Sequence, residues 1–148
     1  MKFLILLLSV TLASCDSPQN HRIIGSSQGE EKSSFTQKTF ENHPLKVEFK
    51  WISGPHGSLS QSSSLMILIY NKDGQLAPLP EGLEPYFYGT MPAMGHPLED
   101  PGFFNKLETG IYINESIQFN MEGEWKLELW LMNEEFNIKD KVQWLDQL

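Results

Sequence analysis

The chain holds a single cysteine, Cys15, so no disulfide can form within it, and once that thiol is used neither a thiolate nucleophile nor a thiolate ligand is left. Stability must then come from the core, and soft-metal chemistry from methionine. Basic residues are also scarce: 11 Lys and Arg stand against 19 Asp and Glu, for a formal charge of −8. They form no cluster. Binding to a phosphate backbone has no electrostatic footprint to rest on, which excludes nucleic acid as a partner. The apolar run from Phe3 to Val10 is far shorter than the roughly 20 residues a membrane-crossing helix requires. No glycine-rich phosphate loop is present. Nucleophilic catalysis needs a hydroxyl or thiol beside a base and an orienting carboxylate, and the histidines lack such partners locally. Glu99 and Asp100, close after His96, read as solvated side chains of a proline-rich loop. The expectation is that the chain is not an enzyme.

What is present begins at the amino terminus. Lys2, the apolar run and the small residues Ala13 and Ser14 make the three parts of a secretory signal peptide over residues 1–14. Leu12-Ala13-Ser14-Cys15 resembles the lipobox of bacterial lipoproteins, in which the cysteine is acylated and becomes the new amino terminus. That resemblance implies lipidation at Cys15. Each buried acyl methylene contributes about 0.8 kcal/mol, so two or three chains would anchor the protein to a membrane without spanning it. Asp16 resembles the signal that retains enteric lipoproteins in the inner membrane, so the expected location is the cell envelope, facing the periplasm. Loss of residues 1–14 leaves 134 residues and, with Lys2 gone, a charge of −9, which suits one domain better than two.

Residues 15–40 are rich in Ser, Gln, Gly, Glu and Lys and bury too little surface to offset their ordering entropy, so they read as a flexible tether. From there, over 41–148, the pattern is that of one β domain. Leu45 to Trp51 alternates apolar and charged residues with period two, as a strand with one buried face does. Ser64 to Tyr70 is apolar throughout and ends at Asn71-Lys-Asp73-Gly74, which predicts a central strand covered on both faces followed by a tight turn. Further strands are expected at 86–91, 106–113, 115–121, 124–132 and 137–144, with Asn114-Glu115-Ser116 read as a turn. Seven short strands with turn chemistry between them predict an all-β, immunoglobulin-like sandwich of antiparallel strands. Trp51, Trp125 and Trp144 fall in phase with the core, and Trp130 falls out of phase, over the second face.

Met91-Pro-Ala-Met94-Gly-His96-Pro gathers two thioethers and an imidazole within six residues. Thioether is soft and imidazole borderline, a set that suits copper, as Cu(I) or Cu(II), better than magnesium, calcium or zinc. Pro92 holds Met91 extended and Gly95 allows a sharp turn, so that the three side chains can share one pocket. Met121, before Trp125, and His56, in Gly54-Pro-His-Gly57, are candidates to complete the shell if the sandwich brings those loops to one end. Methionine also fills irregular cores, so packing stands slightly ahead of ligation as the reading of Met91 and Met94, and an exposed loop position stands level with a site role for His96. His21 and His43 read as solvated bystanders.

Trp51-Ile-Ser-Gly-Pro55, Met91-Pro-Ala-Met-Gly-His96, Gly110-Ile-Tyr112 and Phe119-Asn-Met-Glu-Gly-Glu-Trp-Lys-Leu127 resemble the YtkA-like domain family, which is related to FixH-type proteins. The resemblance spans roughly residues 45–132. It implies an immunoglobulin-like sandwich outside the cytoplasm, in the company of copper handling or respiratory-complex assembly, with an envelope protein as partner. The second Met or His cluster of periplasmic copper chaperones is missing here. Two functions follow: an anchored module that captures or hands over copper through Met91, Met94 and His96, or a metal-free interaction domain that presents the same corner to a partner.

Overall fold

In Leu45–Ser53 the apolar residues Leu45, Val47 and Phe49 are buried while their neighbours face outward, the period-two consequence of a pleated backbone. The same logic runs through the computed structural model, which describes residues 36–148. Nine strands follow in chain order: β1 (Thr36–Thr39), β2 (Leu45–Ser53), β3 (Ser63–Asn71), β4 (Glu84–Met91), β5 (His96–Pro97), β6 (Asn105–Glu108), β7 (Ile111–Ile117), β8 (Glu124–Met132) and β9 (Ile138–Gln147). They form two antiparallel sheets, ordered β1-β2-β3-β7-β6 and β5-β4-β8-β9. The signal peptide, Cys15 and most of the expected tether lie outside the described residues.

The sheets meet face to face. Val47, Leu65, Ile67, Ile69 and Ile117 from the first sheet pack with Phe87, Trp125, Leu127, Leu129, Leu131 and Val142 from the second. Aromatic pairs bridge the two layers: Phe49 stacks on Trp144 at 4.2 Å between centroids, and Trp51 meets Phe87 edge-on at 6.0 Å. Trp51 Nε1 also donates to Asp146 Oδ2 across the layers. The all-β sandwich and the core tryptophans are thus as expected, and Trp130 lies on the outer face, stacked on Tyr88 at 4.5 Å.

Several local expectations need correction. Residues 36–39, read as tether, form β1 against β2, and Phe40 is buried in the core. The pairing backbone and one core phenyl outweigh a polar composition there. Strand β3 is central, between β2 and β7, but only its Ser63, Leu65, Ile67 and Ile69 face is buried, and Met66, Leu68 and Tyr70 are half-exposed. The turn expected at Asn114-Glu115-Ser116 lies inside β7. Asn114 is fully buried there, its amide donating to the Pro101 carbonyl and its Oδ1 accepting from the Ser116 backbone N–H. The chain turns instead at Gly110, whose φ of 74° suits a residue without a Cβ.

Candidate metal centre

Strand β4 buries alternate residues, Phe87, Gly89 and Met91, on its inner face. After Met91 the chain turns within four residues, with the N–H groups of Met94 and Gly95 both donating to the Met91 carbonyl and Gly95 at a φ of 65°. It returns as β5, which sets His96 directly opposite Met91. Opposite residues in an antiparallel pair project on the same face with Cβ atoms about 4.5–5.5 Å apart. Met91 is buried and His96 is exposed, so the pair runs from the inner layer to solvent at one mouth of the sandwich.

The loop between β7 and β8 closes on both. Asn120 Nδ2 lies 3.3 Å from His96 Nδ1. Gly123 faces the terminal methyl of Met91, which would stand 2.6 Å from any Cβ added there. Met121 sits between these two contacts, half-buried against the core, and its carbonyl accepts from Trp125 Nε1. Gly123 is pinned by reciprocal backbone hydrogen bonds with Leu148, at 3.2 and 3.0 Å. On the far side of the loop, Gly57 lies against the Glu122 backbone, which brings the His56 loop to the same end. The His56 ring stays on its own loop, with Nε2 3.2 Å from Ser53 Oγ, while its backbone N–H donates to Ser63 Oγ.

Of the five candidates, Met91, His96 and Met121 are therefore linked through residues 120–123, and His56 is their neighbour across that loop. Met94 is different. It stands at the tip of the turn, 56% exposed, because the turn that returns the chain to β5 carries its side chain away from the layer that holds Met91. Among the described residues no group of three or more His, Cys, Asp or Glu side chains gathers to hold a metal. Among the described residues one histidine–carboxylate pair forms, away from this end: His43, expected as a bystander, donates from Nδ1 to Asp140 Oδ2 at 2.9 Å. Asp140 also accepts the backbone N–H groups of Glu41, Asn42 and Lys141. Burial alone would raise its pKa, but the hydrogen bonds from His43 and those amides hold the carboxyl below its ordinary value.

Three cavities, of about 520, 440 and 510 Å³, lie in the seam between β1 and β9, beside the β8–β9 turn, and under the proline-rich link before β4. None of these three is lined by the candidate ligands. Asn120 is the residue that sequence reasoning missed, since nothing in its local pattern links it to a histidine 24 positions away.

No family model matches the chain, and no curated protein matches it. The YtkA-like resemblance therefore rests on its motifs alone. Among solved structures the chain is similar to FetP of uropathogenic E. coli strain F11, recombinantly expressed in the periplasm of E. coli. The TM-score is 0.52 at 13% identity, over 78% of this chain and 93% of that chain. At that identity the likeness is one of fold.

Proposed function

We propose that this protein is a cell-envelope β-sandwich module, lipid-anchored through Cys15, that binds Cu(I) through Met91, His96 and Met121 and hands it to an envelope partner. The observation that carries the reading is that one short loop, residues 120–123, touches both Met91 and His96 with Met121 between them. Two thioethers and one imidazole make a soft, neutral donor set, which favours Cu(I) over hard cations. Exposure of the imidazole at the rim leaves a route for entry and release. His56, whose loop reaches the same end, is the candidate fourth donor, and to serve as one its Nε2 must leave Ser53 Oγ. The motif resemblance to YtkA-like domains and an anchor facing the periplasm, with Asp16 favouring the inner membrane, agree with such a role. No catalytic step is proposed: the oxygens of Asp140 in the His43 pair are taken by backbone amides, so it acts as a tie between chain segments.

The test is a titration of the full chain, with Cys15→Ser so that its thiol cannot ligate, against a chromophoric Cu(I) chelator. Competition at micromolar metal is expected for this background, and its loss in a Met91→Leu, Met121→Leu double variant. Met and Leu exchange at a buried position usually costs less than about 1.5 kcal/mol, so the fold survives while the sulfurs are removed. Met94→Leu should leave the affinity within about twofold, since Met94 points to solvent. No competition by the Cys15→Ser chain, or equal competition by the double variant, rejects the reading.

The exposure of Pro92, Ala93 and Met94 favours a second reading, a metal-free module whose rigid corner docks on an envelope protein. Cross-linked pull-down from envelopes distinguishes it: substitution of those three residues should abolish capture with metal chelated throughout, and retained capture removes this corner from the account.

A further inference from the structure

His96 has two ring nitrogens, and the structure treats them differently. Nδ1 lies 3.3 Å from the amide nitrogen of Asn120, which donates into its lone pair. Nε2 has no such partner among the described residues. The other end of the same amide, Asn120 Oδ1, is buried with no hydrogen-bond partner. A buried acceptor left unpaired beside a histidine calls for an explanation.

Resting on the copper reading above, we propose that Asn120 is the positioning residue of the site: it engages Nδ1, so that His96 meets the metal through Nε2. A neutral imidazole that ligates through Nε2 must carry its proton on Nδ1, and a ligating histidine generally gives that proton to an acceptor in the surrounding shell. Asn120 can be that acceptor. The two ends of a carboxamide are nearly isosteric, so a half-turn about its last bond replaces the donating Nδ2 by Oδ1. Either orientation leaves one end unbonded. The two are therefore close in energy, and the proton on the imidazole decides between them. In the metal-free protein Nδ1 accepts and Nε2 carries the proton; with Cu(I) on Nε2, the proton sits on Nδ1 and the amide turns to receive it. The placement of Asn120 immediately before Met121 ties the ring's orientation to the loop that supplies the second sulfur.

Two measurements on the full chain in the Cys15→Ser background test this. The first is the tautomer of His96 in metal-free protein, read from two-bond proton–nitrogen correlations at a pH where the ring is neutral. The second is Cu(I) affinity against a chelator. The expected results are one dominant Nε2–H tautomer in the Cys15→Ser chain, its replacement by Nδ1–H in Asn120→Asp, and a mixture of both in Asn120→Leu. Asn120→Asp should keep the Cu(I) affinity to within about threefold, and Asn120→Leu should lose about 10- to 100-fold, the range for loss of a partner to a ligating histidine. Rescue by Asp after loss by Leu is an effect that mere packing does not produce. An unchanged tautomer ratio in Asn120→Leu overturns the proposal, as does unchanged Cu(I) affinity there. If the Cys15→Ser chain binds no Cu(I), the copper reading and the assignment of Nε2 as ligand both fall, and the tautomer measurement separately reports whether Asn120 holds the ring.

Discussion

Glycine at position 123 is required twice over. Its φ of 137° belongs to a region that side chains rarely enter, and a Cβ there would meet the Met91 methyl at 2.6 Å. Gly74 separates the two effects, since its φ is 77° but a Cβ would meet nothing within 4 Å. Gly74→Ala should therefore cost about 1 kcal/mol, the left-handed backbone penalty alone. Gly123→Ala should cost about 2–3 kcal/mol, because the strain is of the costlier kind and Met91 must also swing aside. Urea denaturation of both variants checks the difference. Gly123→Ala should also weaken Cu(I) binding in the chelator titration while Gly74→Ala does not, since only the former displaces a proposed ligand. The turn at Gly74 was legible from Asn71-Lys-Asp73-Gly74, whereas the approach of Met91 to Gly123 was not, because it is set by loops distant in sequence. The tryptophans were legible, because a large apolar residue in phase with a strand has one low-energy place to go.

Legibility among the elements follows the same rule. Strand β8 was read with its bounds intact because Trp125, Leu127, Leu129 and Leu131 alternate without interruption and all four are fully buried. Strands β1 and β5, of 4 and 2 residues, are held by ladder hydrogen bonds at sheet edges and carry no apolar periodicity to detect. Strand β7 was divided in the wrong place because Asn-Glu-Ser is turn-like in composition. A buried asparagine inside a strand is stable only when its amide is satisfied, and Pro101 and Ser116 do this from positions that the local sequence does not predict. Asn114→Ala would leave that carbonyl and that N–H unpaired, and should destabilise by about 2 kcal/mol. The urea midpoint should fall with the slope unchanged, whereas a changed slope would indicate that β7 itself had been lost. The candidate site was legible only in part for a related reason. The motif pointed to Met91 and His96, but their alignment is set by β4–β5 pairing, and the approach of residues 120–123 is set by packing of loops far apart in sequence.

At the scale of the whole molecule, the two sheets are also joined at their edges. Asp140 belongs to β9, at the edge of one sheet, and its carboxylate receives the backbone N–H groups of Glu41 and Asn42 and the ring of His43, all from the turn between β1 and β2 at the edge of the other. Because these hydrogen bonds favour the ionised form, its pKa in the folded protein lies below the ordinary 3.8, near the value it regains on unfolding. The sign of the linkage follows: the stabilisation is complete above the unfolded pKa and is lost as pH falls through the lower, folded value. Asp140→Asn keeps the shape and one acceptor but removes the titration, and the second carboxylate oxygen becomes an amide donor facing an N–H group. Stability at pH 7 should therefore fall by about 2 kcal/mol. Between pH 5 and about 2, the midpoint of urea denaturation should decline less steeply in Asp140→Asn than in the unaltered protein, so that the two curves converge in acid. Curves that stay parallel over that range would mean that Asp140 ties the sheet edges without its charge, and that the acid sensitivity of this sandwich arises elsewhere.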